Sequence, residues 1–426
     1  MEPNRTYRSN VRHLYADVIY YGLLAGSAIA FLGVYAARLG ANEFQVGLLT
    51  AGPAIVNLAI SLPAGRWLEG RGLVKATFSA SVGHRIAYLV IVALPGLFAP
   101  GPQVWWLVGL SAAMAVPGTV LAIAFNALLA DLVPPEARGQ VVGRRNALLS
   151  LTLTVTSLGC AWLLDHLVFP VNFQIVFGLG ALGAVLSTYH LSRLNLSPEK
   201  PSPPRVGHPL GDTARPGMPR LGDAVRPAVG LRFLTRSPGR RLLRLDILRG
   251  RFGLLLFAYL SFYTIQYVPI PLFPLFWVRD LRLSDGTISI GNALFYAGMI
   301  LASLLVRRLT SRLGHHRLLG ASALIYGAYP LLNGLATGPA GYWLASAVGG
   351  SVWGLVNASL LNHLMDRTPP DDRPAHMALH NLVLNLGILA GSLLGPTMAQ
   401  AWGLRTTLLL DAGLRAVAGM LLWVFG

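Results

Sequence analysis

The sequence predicts an all-α integral membrane protein with twelve transmembrane helices in two pseudo-symmetric six-helix bundles. Three observations carry that prediction. The 426-residue chain is 54% hydrophobic and only 12% charged, whereas soluble domains hold roughly 25% charged residues, so its solvent is a bilayer. Apolar runs of the about 20 residues needed to cross the hydrocarbon core occur twelve times. Finally, the chain repeats itself. Arg38, Arg66 and Arg71 recur as Arg279, Arg307 and Arg312, each 241 positions on. Asp131-Leu-Val-Pro134-Pro135-Glu-Ala-Arg138, followed by Asn146, recurs as Asp366-Arg-Thr-Pro369-Pro370-Asp-Asp-Arg373, followed by Asn381, each 235 on. A repeat on this scale sets the architecture before any single residue does.

The first run, 17–37, follows a basic start, but its length and the spans behind it mark an uncleaved first span rather than a signal peptide. The runs 45–66, 76–97, 104–130, 146–167 and 173–192 complete the first half. Between the second and third lies a charged hairpin, residues 65–75, which contains Glu69 as its only acid. Between the fourth and fifth, Pro134 and Pro135 stop one helix and preset a turn, with Asp131 and Arg138 bracketing it. Asn146 and, in the second half, Asn381 then open the next spans as end-of-helix hydrogen bonders. Cys160 is the single cysteine, which leaves no disulfide framework and no four-ligand zinc site. It reads as a small packing residue.

From 194 to 250 the composition changes to nine prolines, seven glycines, eleven basic and four acidic residues, too little apolar surface to fold alone. This gives three units: an N-terminal bundle 1–193, a linker 194–250 and a C-terminal bundle 251–426. The end of the linker, 237–249, mixes apolar and basic residues and reads equally as a helix on anionic lipid or as a solvated one. The second-half runs are 252–277, 286–306, 318–337, 341–365, 377–400 and 404–425. Pro269, Pro271 and Pro274 must interrupt the seventh, which is tolerable beside a cavity. Gly387, Gly391 and Gly395 bare one face of the eleventh for close helix contact, and their counterparts in the fifth, Thr152, Thr156 and Cys160, are also small. Asp411 and Arg415, at i and i+4 of the twelfth, neutralise each other.

The lysine and arginine census orients the chain. Twenty-eight basic residues fall on the side of the N-terminus and four, Arg38, Arg279, Arg282 and Arg405, on the other; Arg85 and Arg415 lie within spans. Without the thirteen from Arg193 to Arg251 the count is still fifteen against four. Both termini are therefore expected in the cytoplasm and the protein in the inner (plasma) membrane. The net charge of +17 is spread between apolar runs and makes no nucleic-acid patch on a soluble domain.

With these features placed, the chain resembles the major facilitator superfamily, whose members share twelve spans in two halves, a long central segment and a charged hairpin after the second span of each half. The family hairpin runs roughly G-x-x-x-D-R-x-G-R-R. Here Gly65, Glu69 and Gly72 fill the glycine, acid and glycine positions, while Gly70, Leu73 and Val74 stand where the family has basic residues and Lys75 lies one place beyond. The second copy keeps Arg312, Gly314 and Arg317, with Ser311 at the acid position. The resemblance implies a cytoplasmic gate of Gly65, Glu69, Arg71 and Gly72 with Arg312 and Gly314, to which the Pro-Pro motifs add Asp131, Arg138, Asp366 and Arg373. The competing readings are that the hairpin charges only fix topology and that the Pro-Pro motifs are ion-paired turns. The Gly-Pro motif of the family's drug antiporters is absent from the fifth span; a similar arrangement occurs only in the eleventh.

The resemblance also implies a substrate cavity between the halves, lined by spans one, four, seven and ten. The polar and aromatic candidates there are Tyr21, Ser27, Asn126, Tyr263, Gln266, Tyr267, Trp353 and Asn357; buried Tyr and Asn serve equally as interhelical glue. Arg85 lies roughly 15 Å deep at 1.5 Å per residue, where an arginine costs about 2.5 kcal/mol or more. It is either functional, as the only deep charge available to an anionic solute, or it forms a structural ion pair or snorkels toward the cytoplasm. The central parts of spans one, four, seven and ten hold no acid, so the lining is expected to be neutral and aromatic. Proton coupling, if present, falls to Asp17. The expected function is secondary or facilitative transport of a small, neutral or amphipathic solute by a monomer without cofactor or metal, with export favoured over import. A multipass membrane enzyme or lipid-modifying protein would need a reactive constellation, and the chain has no Walker A, Gly-x-Ser-x-Gly or His-Glu-x-x-His sequence. A transporter-like sensor without flux is the remaining alternative.

Overall fold

The computed structural model describes residues 3–68, 71–195, 245–369 and 373–426. Glu69, Gly70, Pro370 and most of the 194–250 linker lie outside the described residues. Among the described residues, twelve helices are long and apolar enough to cross a membrane: α1 (Arg5–Arg38), α2 (Glu43–Ser61), α3 (Leu73–Leu97), α4 (Pro100–Leu132), α5 (Glu136–His166), α6 (Val171–Ser192), α7 (Arg251–Asp280), α8 (Asp285–Val306), α9 (Arg308–Leu335), α10 (Pro339–Asp366), α11 (His376–Trp402) and α12 (Leu404–Phe425). Twelve crossings return the chain to the face on which α1 begins, here called the terminal face. The opposite face carries the α1–α2 and α7–α8 connections and is the far face.

Local chemistry sets the helix ends. Pro100, Pro135 and Pro339 stand in the first turns of their helices, where a missing N–H costs nothing. Ser284 caps α8 by accepting a hydrogen bond from the Thr287 N–H at 3.1 Å, with Asp285 beside it in the first turn, a charge the helix dipole favours. The prolines of α7 interrupt it as expected. Its regular part stops at Tyr267, a short turn follows at Leu272–Leu275, and a wide π-type turn closes it at Phe276–Asp280. A similar π-type turn, Ala25–Ile29, interrupts α1.

Packing follows the repeat. In the first half α1 packs on α5 and α6, and α2 on α4; in the second, α7 packs on α11 and α12, and α8 on α10. Between the halves the matching contacts are α5 with α8 and α11 with α2. Small residues permit the closest approaches, although the two halves place them differently. Gly387, Gly391 and Gly395 of α11 lie directly on α7: a Cβ at Gly391 or Gly395 would strike the carbonyl oxygen of Thr264 or Val268. In the first half the bare backbone is on α1, where Gly22 and Gly26 face Thr152 and Thr156 of α5, with room for a Cβ only 2.8 and 3.0 Å from the threonine Cβ atoms.

One sequence expectation needs correction. Asn146 and Asn381 do not open helices, because the helices that contain them begin well before them. The helix containing Asn146 runs from Pro135 to His166, and that containing Asn381 from Arg373 to Trp402. The second hairpin is a tight reversal at Gly314 (φ 75°, ψ 166°), where the backbone leaves the helical conformation and two helices meet; glycine alone adopts that conformation without strain. Of the 237–249 segment, the described part is a single 3-10 turn, Leu245–Leu248.

Candidate functional site

The halves are joined at the far face by a reciprocal pair of arginines, the same Arg38 and Arg279 that mark the sequence repeat. Arg38 at the end of α1 donates from Nε to Asp285 Oδ1 at 2.9 Å and to the Leu283 carbonyl oxygen at 2.6 Å. Arg279 at the end of α7 donates to Glu43 Oε1 at 3.0 Å and to the Ala41 carbonyl oxygen. Each arginine thus crosses to the first turn of the helix pair opposite, taking one carboxylate and the carbonyl two residues before it. Asp165 at the end of α5 adds a third tie, accepting from the Gly286 N–H at 2.8 Å and from Ser284 Oγ at 3.2 Å. Deeper in, Ser289 Oγ donates to the Ser157 carbonyl oxygen at 2.5 Å, and Pro396 of α11 presses on Gly47 of α2.

On the other side of this seal lies a cavity of about 620 Å³, within the range of small-molecule sites. Its lining comes from α1 to α6 and from α11, and runs from the middle of those helices (Pro53, Ala115) to their ends at the terminal face (Leu191). At its wall sits an ionic centre. Asp17 of α1 accepts from Arg145 of α5 at 3.1 Å and from Ser187 Oγ of α6 at 2.5 Å. The Arg85 guanidinium of α3 lies 3.9 Å from the same carboxylate and donates to Thr188 Oγ1 at 2.8 Å and the Ala184 carbonyl oxygen at 3.3 Å. Asp17 is 4% exposed and Arg85 6%, so these charges are held where an unpaired ion would be very costly. Arg145 also lies over the Phe125 ring, 4.6 Å from its centroid.

The predicted residues divide. Tyr21, Asn126, Arg85 and Asp17 line the cavity together. Ser27 is fully buried and donates to the Leu23 carbonyl oxygen of its own helix. Tyr263 is buried, with its hydroxyl 2.8 Å from His380 Nε2; Gln266 is buried and gives its backbone carbonyl to Arg415 at 3.0 Å. Tyr267 and Trp353 are half-buried and Asn357 is exposed, with Trp353 stacked on Tyr326. The wall from the second half is instead Asn381 and Asn385 of α11.

At the terminal face, Arg138 is buried and donates to the Ala130 and Val133 carbonyl oxygens at 2.7 and 3.2 Å. It therefore braces the turn at the end of α4 within its own half. Arg71 stacks on Trp67, 3.9 Å from the ring centroid. Gly72, Arg312, Gly314, Asp131 and Asp366 are exposed and Gly65 is half-buried. Arg373 begins the helix of α11.

The lining differs from the neutral, aromatic surface expected. It carries Asp17, Arg85 and Arg145, with His84 hydrogen-bonded to the Met114 carbonyl oxygen at 2.8 Å and Asn57 accepting from Thr119 at 2.6 Å. Arg145 was hidden by its place beside the Pro-Pro turn, where arginines read as topology signals. The available clue was its distance of seven residues from Arg138, two helical turns, once the helix is started at the prolines.

The Major Facilitator Superfamily profile matches residues 18–253 and 255–426. No curated protein sequence matches the chain. Among solved structures, the nucleoside transporter NupG superposes with a TM-score of 0.64 at 14% identity, covering 98% of each chain. The D-xylose-proton symporter gives a TM-score of 0.69 at 14% identity over 98% of this chain and 97% of that one. The human organic anion transporter MFSD10 (TETRAN) gives 0.61 at 16% identity over 99% of this chain and 100% of that one. At these identities the likeness is one of fold. The profile spans nearly the whole chain, and together with the twelve spans in two matched halves it shows that this protein belongs to the major facilitator superfamily, as a multi-pass membrane transporter and not an enzyme.

Proposed function

We propose that the chain moves a small solute by alternating access, with the α1–α6/α11 cavity as its binding site and the Arg38/Arg279 clasp as the gate of its closed side. The observation that carries this reading is the opposition of the two features: the clasp ties the halves at the far face, while the cavity lining runs from mid-membrane toward the terminal face. The clasp is suited to opening. Its ion pairs are partly exposed, with side-chain exposures of 27% and 11% for Arg38 and Asp285 and 35% and 22% for Arg279 and Glu43, and such pairs contribute about 1 kcal/mol or less each. Rocking of one half on the other breaks them and closes the terminal face.

The terminal face is assigned to the cytoplasm on the lysine and arginine asymmetry. The hairpins around Gly65, Glu69, Arg71, Gly72, Arg312 and Gly314, with Asp131, Asp366 and Arg373, are then the gate that forms when the cavity opens outward. Asp17 is the coupling candidate, since protonating it would release both Arg145 and Arg85. Gate and cavity both form within one chain, which supports a functional monomer. The test is solute counterflow in proteoliposomes, run in both directions and with and without a pH gradient, for wild type and Asp17→Asn. Saturable flux, with any gradient dependence lost in Asp17→Asn, is expected. Binding without flux would make the protein a sensor.

A further inference from the structure

The charges around the cavity do not balance, and the imbalance names a class of ligand. Among the described residues that line it, Asp17 is the one carboxylate, against the two guanidiniums of Arg85 and Arg145. Both Asp17 oxygens are already engaged, Oδ2 by Arg145 and Oδ1 by Ser187. Arg85 therefore stands 3.9 Å from that carboxylate, beyond hydrogen-bond distance. Its NH1 is satisfied by Thr188 and Ala184, but its Nε is buried with no hydrogen-bond partner, as is that of Arg145. A buried guanidinium without a hydrogen-bonded carboxylate is costly, and it is tolerable where an anion in the cavity offsets its charge.

We propose that the cavity binds a small organic carboxylate, its charged group seated on Arg85 beside the Asp17–Arg145 pair and its body against Tyr21, Asn126 and Asn385. This deepens the reading of the cavity as the transport site and rests on it. A carboxylate fits for two reasons: it accepts a charge-assisted hydrogen bond from a guanidinium, and one negative charge brings the lining to neutrality. A phosphate monoester would overshoot to net negative. A cation would meet two guanidiniums and a carboxylate whose oxygens are taken.

The test uses matched probes on purified full-length protein: benzoate, nicotinate and phenylacetate, each with its own amide, plus benzylamine and phenyl phosphate. Thermal stabilisation reports binding, and counterflow of radiolabelled benzoate and benzamide reports transport. Acids are expected to stabilise the wild type at millimolar concentration and their amides not to. Arg85→Gln should weaken acid binding by about tenfold or more, the size of one lost charge-assisted contact. Asp17→Asn should tighten it by a similar factor, a gain that misfolding cannot mimic. Asn126→Trp, which fills the cavity, should abolish flux. Preference for amides, benzylamine or phenyl phosphate, or no acid-dependent shift with any of the three acids, overturns the carboxylate assignment while leaving the cavity reading in place. Flux that persists in Asn126→Trp instead overturns the cavity as the transport site.

Discussion

Asp411 and Arg415 of α12 show what a balanced buried pair looks like in this protein. They lie 2.8 Å apart with side-chain exposures of 0% and 1%, one helical turn from each other. Arg415 is further held by the Gln266 carbonyl oxygen and by the Tyr326 ring 4.3 Å beneath it. The sequence spacing alone paired them correctly. Removing one partner leaves the other charged in an apolar bundle, so Asp411→Ala is expected to destabilise the protein by about 3–5 kcal/mol, read as a fall in unfolding temperature in detergent. Replacing both, as Asp411→Leu with Arg415→Met, should recover much of that loss.

The Asp17 centre was harder to read because it joins α1, α3, α5 and α6, and no one-helix spacing reports a four-helix meeting. Asp17 and Arg85 were each visible as charges in apolar runs. Arg145 was not, because the Pro-Pro turn looked like a loop and is in fact a helix start. The C-terminal candidates Tyr263 and Gln266 are buried between helices and are not among the residues that line the cavity described above.

At the scale of elements, the small-residue faces were legible and their partners were not. Three glycines at intervals of four implied a close neighbour for α11, and only the fold shows that neighbour to be α7. A side chain at Gly391 or Gly395 would have to displace the α7 backbone just where Pro269 already interrupts it. Gly391→Val is therefore expected to cost about 1–3 kcal/mol by overpacking, whereas Gly178→Val on α6, with nothing within 4 Å of its Cβ position, should be nearly silent. Comparison of the two variants by thermal unfolding and by flux checks this. Equal effects would mean that valine acts through helix propensity rather than through the contact.

For the whole molecule, the repeat made the architecture legible, because hydrophobic length and copied motifs do not depend on how the halves meet. The gate was only half visible. Arg38 and Arg279 stood out as a repeated pair on the arginine-poor side, but their exchange of partners across the halves needs the assembled structure. Cysteines placed at Ser9 and at Ser284 in a Cys160→Ser background should label from opposite sides of the membrane; same-side labelling would refute the orientation of the spans.

The clasp and the cavity together make the central claim, and accessibility of one cavity position tests it most directly. In a Cys160→Ser background, Asn126→Cys should react with a membrane-impermeant maleimide added at the terminal face and be protected from the far face. Adding Arg38→Ala and Arg279→Ala should raise its labelling from the far face by about tenfold, since two partly exposed pairs of up to about 1 kcal/mol each are lost. Equal labelling from both faces with the clasp intact, or unchanged protection after its removal, would contradict alternating access through this gate.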